Sequence, residues 1–196
     1  MFSGIVESVG EIVYIETQPS YTLTIRDNVA VTDTKLGDSI SVNGVCLTVT
    51  KLLNDDFTVG LSNETLGITT LSKLVVGSRV HLERGMQLNG RVGGHLVQGH
   101  VDTTITIKSM IKDGDGLRIT FHGNVEYVVV KGFICIDGIS LTVNTVNYET
   151  SEFSVMLVNY TLNKVLLGKL DVGASCNVEY DQLAKYVHTL VKHFKV

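Results

Sequence analysis

The sequence of 196 residues is poor in several kinds of residue, and each shortage excludes a class of protein. Proline occurs once, at Pro19, and tryptophan is absent. Charged residues make up 18% of the chain, below the roughly 25% that is typical of soluble proteins. No apolar run reaches the roughly 18 residues that a membrane-spanning helix needs. With 44% hydrophobic residues, the chain is expected to fold around a packed core rather than to be disordered.

Net charge, cysteine number and histidine spacing exclude further classes of protein. A net charge of −4 without a basic cluster predicts no nucleic-acid or membrane partner. The N-terminus has neither a basic start nor a long apolar stretch, so we expect no signal peptide. Cys46, Cys135 and Cys176 are odd in number and far apart, which predicts free thiols in a cytoplasmic protein. The six histidines show no ligand spacing, so the sequence predicts no metal site.

What the sequence does contain is a repeat. VNGVCLTV at 42–49 returns as IDGISLTV at 136–143, an offset of 94 residues. Two further blocks recur in the same order at offsets of 95 and 96: SGIVES with QGHVDT, and 65–83 with 161–179, where eight of nineteen positions are identical. This period is too long for a solenoid. The pattern therefore predicts a duplicated domain.

Each half is rich in short β-strand signals. Candidate strands at 21–27, 39–42, 45–52 and 57–62 are separated by turns, and Asn-Gly at 43–44 or Asp-Gly at 137–138 predicts a tight hairpin. The sequence predicts an all-β protein, with two tandem homologous closed β-barrels at 1–95 and 96–182. Helical periodicity occurs only at 183–196, where the apolar stripe is Leu183, Val187, Leu190, Val191 and Phe194. This helix either packs on its own barrel or joins subunits.

Strand alternation places a polar row on one face of each half. Cys46, Thr48 and Thr50 point one way, and Ser140 and Thr142 occupy the equivalent face of the second copy. Taken singly, either row is more simply explained as strand-forming threonines beside a buried cysteine or serine. Because the same polar face occurs twice, we favour a pair of similar binding sites.

Six ordered blocks resemble the riboflavin synthases of the trimeric, lumazine-binding-repeat type. These blocks are MFSGIVE, GDSISVNGVCLTVT, ETL, GGHLVQGHVD, KGFICIDGISLTV and NVEYDQLAKYV. The resemblance covers essentially the whole chain, and two segments (FTVGLSNETL and VMLVNYTLNKV) look closest to the fungal branch.

The resemblance implies an activity. Riboflavin synthases dismutate two molecules of 6,7-dimethyl-8-(1-D-ribityl)lumazine into riboflavin and 5-amino-6-(D-ribitylamino)uracil. They need no cofactor, and they work as homotrimers in which the first half of one subunit faces the second half of another. The alternative is a non-catalytic lumazine- or flavin-carrying antenna protein with the same fold. Since this chain keeps Cys46, His95 and His100, the enzyme is favoured.

The resemblance also implies two sets of pteridine-binding residues. The first set is Gly4, Ile5, Val6, Cys46, Leu47, Thr48, Gly60, Leu61, Ser62, Asn63, Glu64 and Thr65. The second set is Gly99, His100, Val101, Lys131, Ser140, Leu141, Thr142, Val158, Asn159, Tyr160, Thr161, Leu162 and Asn163.

Further residues lie where the family's motifs place site or near-site groups, namely Phe2, Ser39, His100, Asp137 and Asp181. Cys46, Ser140, His100 and Phe2 are the catalytic candidates. His100 is expected to move a proton and the ring of Phe2 to pack against a substrate ring, although an N-terminal Phe is more often core. We interpret His95 as structural, and expect Lys131 to pair with Asp137 or another carboxylate.

Overall fold

The computed structural model describes residues 1–193, in which β-strands predominate. Twelve strands are present in this range: β1 Ser8–Glu16, β2 Tyr21–Arg26, β3 Ser39–Val42, β4 Val45–Leu53, β5 Asp56–Leu61, β6 Arg79–Arg84, β7 Thr103–Asp113, β8 Gly116–His122, β9 Phe133–Ile136, β10 Ile139–Asn147, β11 Glu152–Leu157 and β12 Ser175–Tyr180. They form two closed antiparallel barrels, ordered β1-β2-β5-β4-β3-β6 and β10-β11-β8-β7-β12-β9. The predicted all-β fold of two tandem barrels is confirmed.

The hairpins that carry the repeated phrase have the predicted turn geometry. Asn43 and Gly44 have φ of 46° and 81°, and Asp137 and Gly138 have φ of 46° and 82°. Positive φ at both central residues matches the right-handed twist of the flanking strands. After the first turn, Val45, Leu47 and Val49 point into the barrel core, while the alternating residues point outward.

Three α-helices complete the described part of the chain, α1 Asn63–Ile68, α2 Asn159–Lys164 and α3 Gln182–His193, together with two short 3₁₀ helices at Thr70–Lys73 and Leu167–Lys169. The expectation that only the C-terminal segment is helical was wrong. Because α1 and α2 have six residues each, neither is long enough to show a clear period of 3.6 residues. No helix within residues 1–193 is long and apolar enough to cross a membrane.

Helix α3 contacts the second barrel through its polar side. Lys185 Nζ lies 2.9 Å from an oxygen of Asp102, and His188 Nε2 lies 3.0 Å from an oxygen of Glu126. Its apolar stripe faces away: Leu183, Val187, Leu190 and Val191 are all more than half exposed. The stripe is therefore not buried on its own barrel. Phe194, expected at its end, lies outside the described residues.

The two barrels meet at a polar seam in which the hairpins face each other. A Cβ added to Gly44 would lie 2.7 Å from Gly138 N. In the first half Asn43 Oδ1 accepts from His81 N, and in the second half Asp137 Oδ1 accepts from Asn177 N, both at 2.7 Å. The same hydrogen bond is thus made twice, with different side chains.

His81 and Asn177 also reach across the seam, each into the other half. His81 Nδ1 donates to Asp137 O at 2.9 Å, and Nε2 accepts from Leu166 N at 2.6 Å. Asn177 donates to Asn43 O and accepts from Thr70 N. Since one ring nitrogen of His81 donates and the other accepts, the imidazole is neutral. Burial lowers the pKa of His81 to about 4, in agreement with these contacts.

Candidate functional site

The first polar row lies on the outer face of the first barrel. Cys46 is partly exposed and Thr48 is exposed, whereas Leu47 between them is core. Ser39 pairs with Thr48 across the two strands, and Ser41 pairs with Cys46. Side chains that are directly opposite in an antiparallel pair share a face. Ser39, Cys46 and Thr48 therefore form one outer patch, and Ser41 is buried beside it.

The second polar row has the same construction. Ser140 is partly exposed, Thr142 is exposed and Leu141 is core. Phe133 pairs with Thr142, and Cys135 pairs with Ser140. Phe133 takes the place that Ser39 has in the first row, and its ring is half exposed beside the hydroxyls.

A short segment from each half crosses to the other barrel and covers one end of its row. Ser140 N donates to Gly4 O, and Cys46 N donates to Gly99 O, both at 2.8 Å. Val6 packs against the core of the second barrel, and Val101 belongs to the core of the first. The grouping expected from the sequence, with Gly4–Val6 beside Cys46 and Gly99–Val101 beside Ser140, is therefore wrong.

Glycine is required at both crossings. Gly4 and Gly99 have φ of 74° and 80°, a region that L side chains rarely adopt. A Cβ would also lie 2.6 Å from Ser140 Cβ at Gly4, and 2.6 Å from Cys46 Cβ at Gly99. The backbone of each segment thus lies directly against the central residue of the opposite row.

Two buried carboxylates hold these segments in place. Glu83 accepts from the backbone N–H groups of Ser3 and Gly4 at 2.7 and 3.0 Å. Glu179 accepts from Gln98, Gly99 and His100 N at 2.7 to 2.8 Å. Burial raises the pKa of Glu83, and the hydrogen bonds from Ser3 and Gly4 lower it. The carboxylates determine where both crossings lie.

His95 is the site residue that sequence reasoning missed. Its Nδ1 lies 2.6 Å from Ser140 Oγ, and its ring stacks on Phe133 with centroids 5.0 Å apart and 10° between the planes. Burial lowers the pKa of His95, and the negative charge of Asp181 opposes this effect. The GGH stretch gave only one signal, a histidine five residues before His100 in a matched motif.

Phe2 is not placed as expected, whereas the role expected for His100 stays a prediction. Phe2 is fully buried, in a cluster with Val97 and Cys135 against which Cys46 packs. Its ring therefore offers no surface to a substrate ring, and it follows the core alternative. His100 is exposed, and its contact with Glu179 is made by the backbone N–H.

The expected pair between Lys131 and Asp137 does not form in the described part of the chain. Lys131 is exposed, with a φ of 67° and its N–H donating to Val143 O. The Asp137 carboxylate is buried in the seam, and burial raises its pKa to about 7. Asp137 is thus placed to support the Ser140 hairpin rather than to face a ligand.

The two short helices carry the remaining predicted residues at the ends of β5 and β11. In the first half Leu61 is core, and Ser62 caps α1 by accepting from Thr65 N at 3.1 Å. In the second half Val158 occupies the cap position and makes no such bond. The exposed residues here are Gly60, Ser62, Asn63, Glu64, Val158, Asn159, Tyr160 and Asn163, while Thr65, Thr161 and Leu162 are partly buried.

A polar cavity of about 760 Å³ lies next to the first row. Its lining includes Ser39, the exposed Ile5 and Glu83. The cavity therefore borders the outer patch without including Cys46 or Thr48. Within residues 1–193, no group of three or more His, Cys, Asp or Glu side chains is placed to hold a metal ion.

Fold and site together define a protein made of two tandem copies of one small barrel, each with an outward polar row completed by the other copy. Comparison with known proteins also finds one domain twice in this chain. The family model described as lumazine binding domain matches residues 3–85 and again 98–181.

Curated relatives match over almost the full length. Riboflavin synthase of Schizosaccharomyces pombe is 40% identical, covering 98% of this chain and 94% of the relative. Riboflavin synthase of Mycobacterium tuberculosis is 44% identical, covering 98% of both. Among solved structures, LumP complexed with 6,7-dimethyl-8-(1'-D-ribityl) lumazine aligns with a TM-score of 0.82 at 22% identity, covering 93% of this chain and 100% of that one. This last likeness supports the fold alone.

The chain therefore belongs to the lumazine-binding domain family, and within it to the riboflavin synthases. Fungal and bacterial relatives are both among those it matches.

Proposed function

We propose that this protein is a transferase that converts two molecules of 6,7-dimethyl-8-(1-D-ribityl)lumazine into riboflavin and 5-amino-6-(D-ribitylamino)uracil. The observation that carries the proposal is the pair of matched outward rows, each covered by a glycine segment from the opposite half. A reaction between two identical molecules calls for two similar sites, and the family's domain occurs here twice.

The contribution expected from such sites is mainly positional. Holding two reactants in register converts a bimolecular step into an effectively unimolecular one, worth up to roughly 7–11 kcal/mol in ideal cases. The rows supply small donors and acceptors, Cys46 and Thr48 in one and Ser140 and Thr142 in the other. Such groups assist proton transfer without a metal or organic cofactor.

The direct test incubates the purified protein with the lumazine alone and follows riboflavin by fluorescence and both products by chromatography. An enzyme consumes two lumazines for each riboflavin, and dialysis against a chelator leaves its rate unchanged. A protein that only binds the lumazine would return it intact, which would refute the proposal.

The complete site is proposed to lie between subunits of a homotrimer in the cytoplasm. The exposed stripe of α3 supports subunit association, because four large apolar side chains on one helix face are otherwise left in water. In this arrangement the Cys46 row of one chain faces the Ser140 row of another.

Mixing two damaged chains tests the shared site. A Cys46→Ala chain and a chain with Ser140→Ala and Thr142→Ala are refolded together, each being nearly inactive alone. A shared site pairs one intact first row with one intact second row, so activity partly returns. Mixed oligomers, verified by mass, that remain inactive would contradict an intersubunit site.

A further inference from the structure

The two rows differ most in what lies beside their central residue. Ser140 Oγ is within 2.6 Å of His95 Nδ1. In the described part of the chain, the equivalent Cys46 has no hydrogen bond to an imidazole, and its thiol packs against the Phe2 cluster. One row therefore carries a base partner for its hydroxyl, and the other does not.

We propose that Ser140 and His95 remove the proton from the 7-methyl group of one bound lumazine, and that the first row holds the second lumazine, with which the resulting carbanion reacts. This inference rests on the proposed function and assigns a different part to each half. His95 acts through Ser140, so it is a positioning residue and proton acceptor behind the catalytic hydroxyl.

The proton transfer involves only the lumazine, Ser140 and His95. The methyl C–H bond breaks, and its electron pair is delocalised into the pteridine ring. Ser140 Oγ takes the proton as its own hydroxyl proton passes to His95 Nδ1, leaving the serine neutral. The lumazine gains one negative charge and the imidazole one positive charge, and returning the proton restores both.

The surroundings of His95 suit this role. Burial favours the neutral imidazole, which is the form that can accept a proton through Nδ1. The charge of Asp181, which raises the pKa of His95, stabilises the imidazolium once it forms. The near-parallel stack with Phe133 holds the plane of the ring toward Ser140.

Phe133 is a second difference between the two halves, and it supports His95. The equivalent residue in the first row is Ser39, because each is paired with the threonine of its row, Thr142 or Thr48. A serine offers no ring on which an imidazole can stack. Phe133 is thus the positioning residue of His95, and it marks the second row as the deprotonating one.

The test measures exchange of the 7-methyl protons in D2O, by proton NMR on the lumazine itself, at early times with the full-length protein. Spontaneous exchange is subtracted, and lumazine binding is followed in parallel by fluorescence titration. The variants are Ser140→Ala, His95→Gln and Cys46→Ala, and the matched histidine control is His122→Gln, an exposed residue at the end of β8.

Ser140→Ala and His95→Gln should each slow catalysed exchange by about 100-fold or more, with binding close to the parent's. Cys46→Ala should still catalyse exchange although it forms riboflavin slowly, and His122→Gln should behave as the parent. Exchange at the parent rate in both Ser140→Ala and His95→Gln would overturn the inference. So would exchange lost in Cys46→Ala but kept in Ser140→Ala.

Phe133 is tested by a conservative pair. Phe133→Leu should lower the exchange rate at saturating lumazine with little change in binding, and Phe133→Tyr should restore it. Equal rates in the two variants would overturn the role of Phe133. A parent protein that forms no riboflavin refutes the proposed function, whereas a parent that forms riboflavin with variants that exchange normally refutes only this inference.

Discussion

The hairpins SVNGVC at 41–46 and CIDGIS at 135–140 hold the same two polar residues in opposite order. In the first barrel Ser41 is buried and its partner Cys46 reaches the outer patch. In the second barrel Cys135 is buried and Ser140 reaches the patch. The second half keeps a thiol on the same face, but at the buried position opposite Ser140, where burial raises the pKa of Cys135 well above the ordinary value. The duplicated frame is conserved between halves, and the reactive atom is what differs.

The seam between the barrels shows the same difference between the halves. Asn43 and Asp137 accept the same backbone hydrogen bond in the two halves, one with an amide and the other with a carboxyl group. The geometry is kept while the titration behaviour changes. Substitutions that exchange residues between the halves, or that disturb the contacts between them, test this comparison.

The largest effect is expected from Asp137→Asn, which gives the second hairpin the amide of the first. The folded chain keeps the Asp137 proton up to about pH 7, whereas the ordinary pKa is 3.8. The free energy of unfolding of the parent therefore falls as pH rises between these values, by about 4 kcal/mol in all. Urea denaturation should show the variant more stable at pH 8 and similar to the parent at pH 4. A difference that does not depend on pH would contradict the buried carboxyl group.

Cys46→Ser gives the first row the hydroxyl of the second. Turnover should fall by roughly 100-fold while lumazine binding persists, because a serine hydroxyl is a much weaker nucleophile than a cysteine thiol. Cys135→Ser is the control, since it changes the buried member of the other pair. It should keep turnover and lower the free energy of unfolding by about 1–2 kcal/mol. Steady-state rates and urea denaturation distinguish the effects of the two variants. The reverse pattern would show that Cys135, and not Cys46, is the functional thiol.

Alanine at the crossing glycines tests the exchange of segments. Gly99→Ala should displace the segment over Cys46 and raise the reactivity of this thiol toward a thiol reagent, while Gly4→Ala should leave it unchanged. Each substitution should cost about 1–3 kcal/mol of stability through backbone strain. Gly37→Ala is the control for strain alone, because Gly37 has a φ of 89° and no atom within 4 Å of an added Cβ. Faster labelling of Cys46 in Gly4→Ala than in Gly99→Ala would contradict the conclusion that the segment at Gly99 covers Cys46.

The smallest effect concerns the helix caps. Ser62→Ala removes the bond to Thr65 N and should cost about 0.5–1 kcal/mol. Val158→Ser introduces a cap where α2 has none, and it should add a few tenths of a kcal/mol. Thermal unfolding of the two variants beside the parent measures both signs. A stabilising Ser62→Ala would contradict the capping geometry.

Local patterns in the sequence predicted the strands and turns well. The strand at 39–42 has the predicted ends, and the alternation of Cys46 and Thr48 with core residues followed from the period of two residues. The repeat predicted two barrels, because equal patterns bury equal faces. These features depend on neighbours along the chain, so a single sequence contains them.

Contacts between distant segments could not be predicted in the same way. His95 is 45 residues from Ser140, and nothing in the local pattern around either residue indicates the other. Gly4 and Gly99 each lie beside a row in the opposite half, which reverses the pairing that chain order suggests. The burial of Phe2 follows from the same crossing, because its backbone pairs with Val97 rather than with its own barrel.

That bridge between Phe2 and Val97 has a consequence for how the molecule opens. The two residues exchange backbone hydrogen bonds of 2.7 and 3.0 Å, and the adjoining segments enter the opposite cores. Opening either barrel therefore breaks bonds that hold the other, so the halves form one cooperative unit rather than two independent foldons. Amide protons of Phe2, Cys46, Val97 and Ser140 should exchange with solvent at a common, slow rate, and calorimetry should record a single transition. Because the bridge joins positions so far apart in the chain, it should also form late in folding.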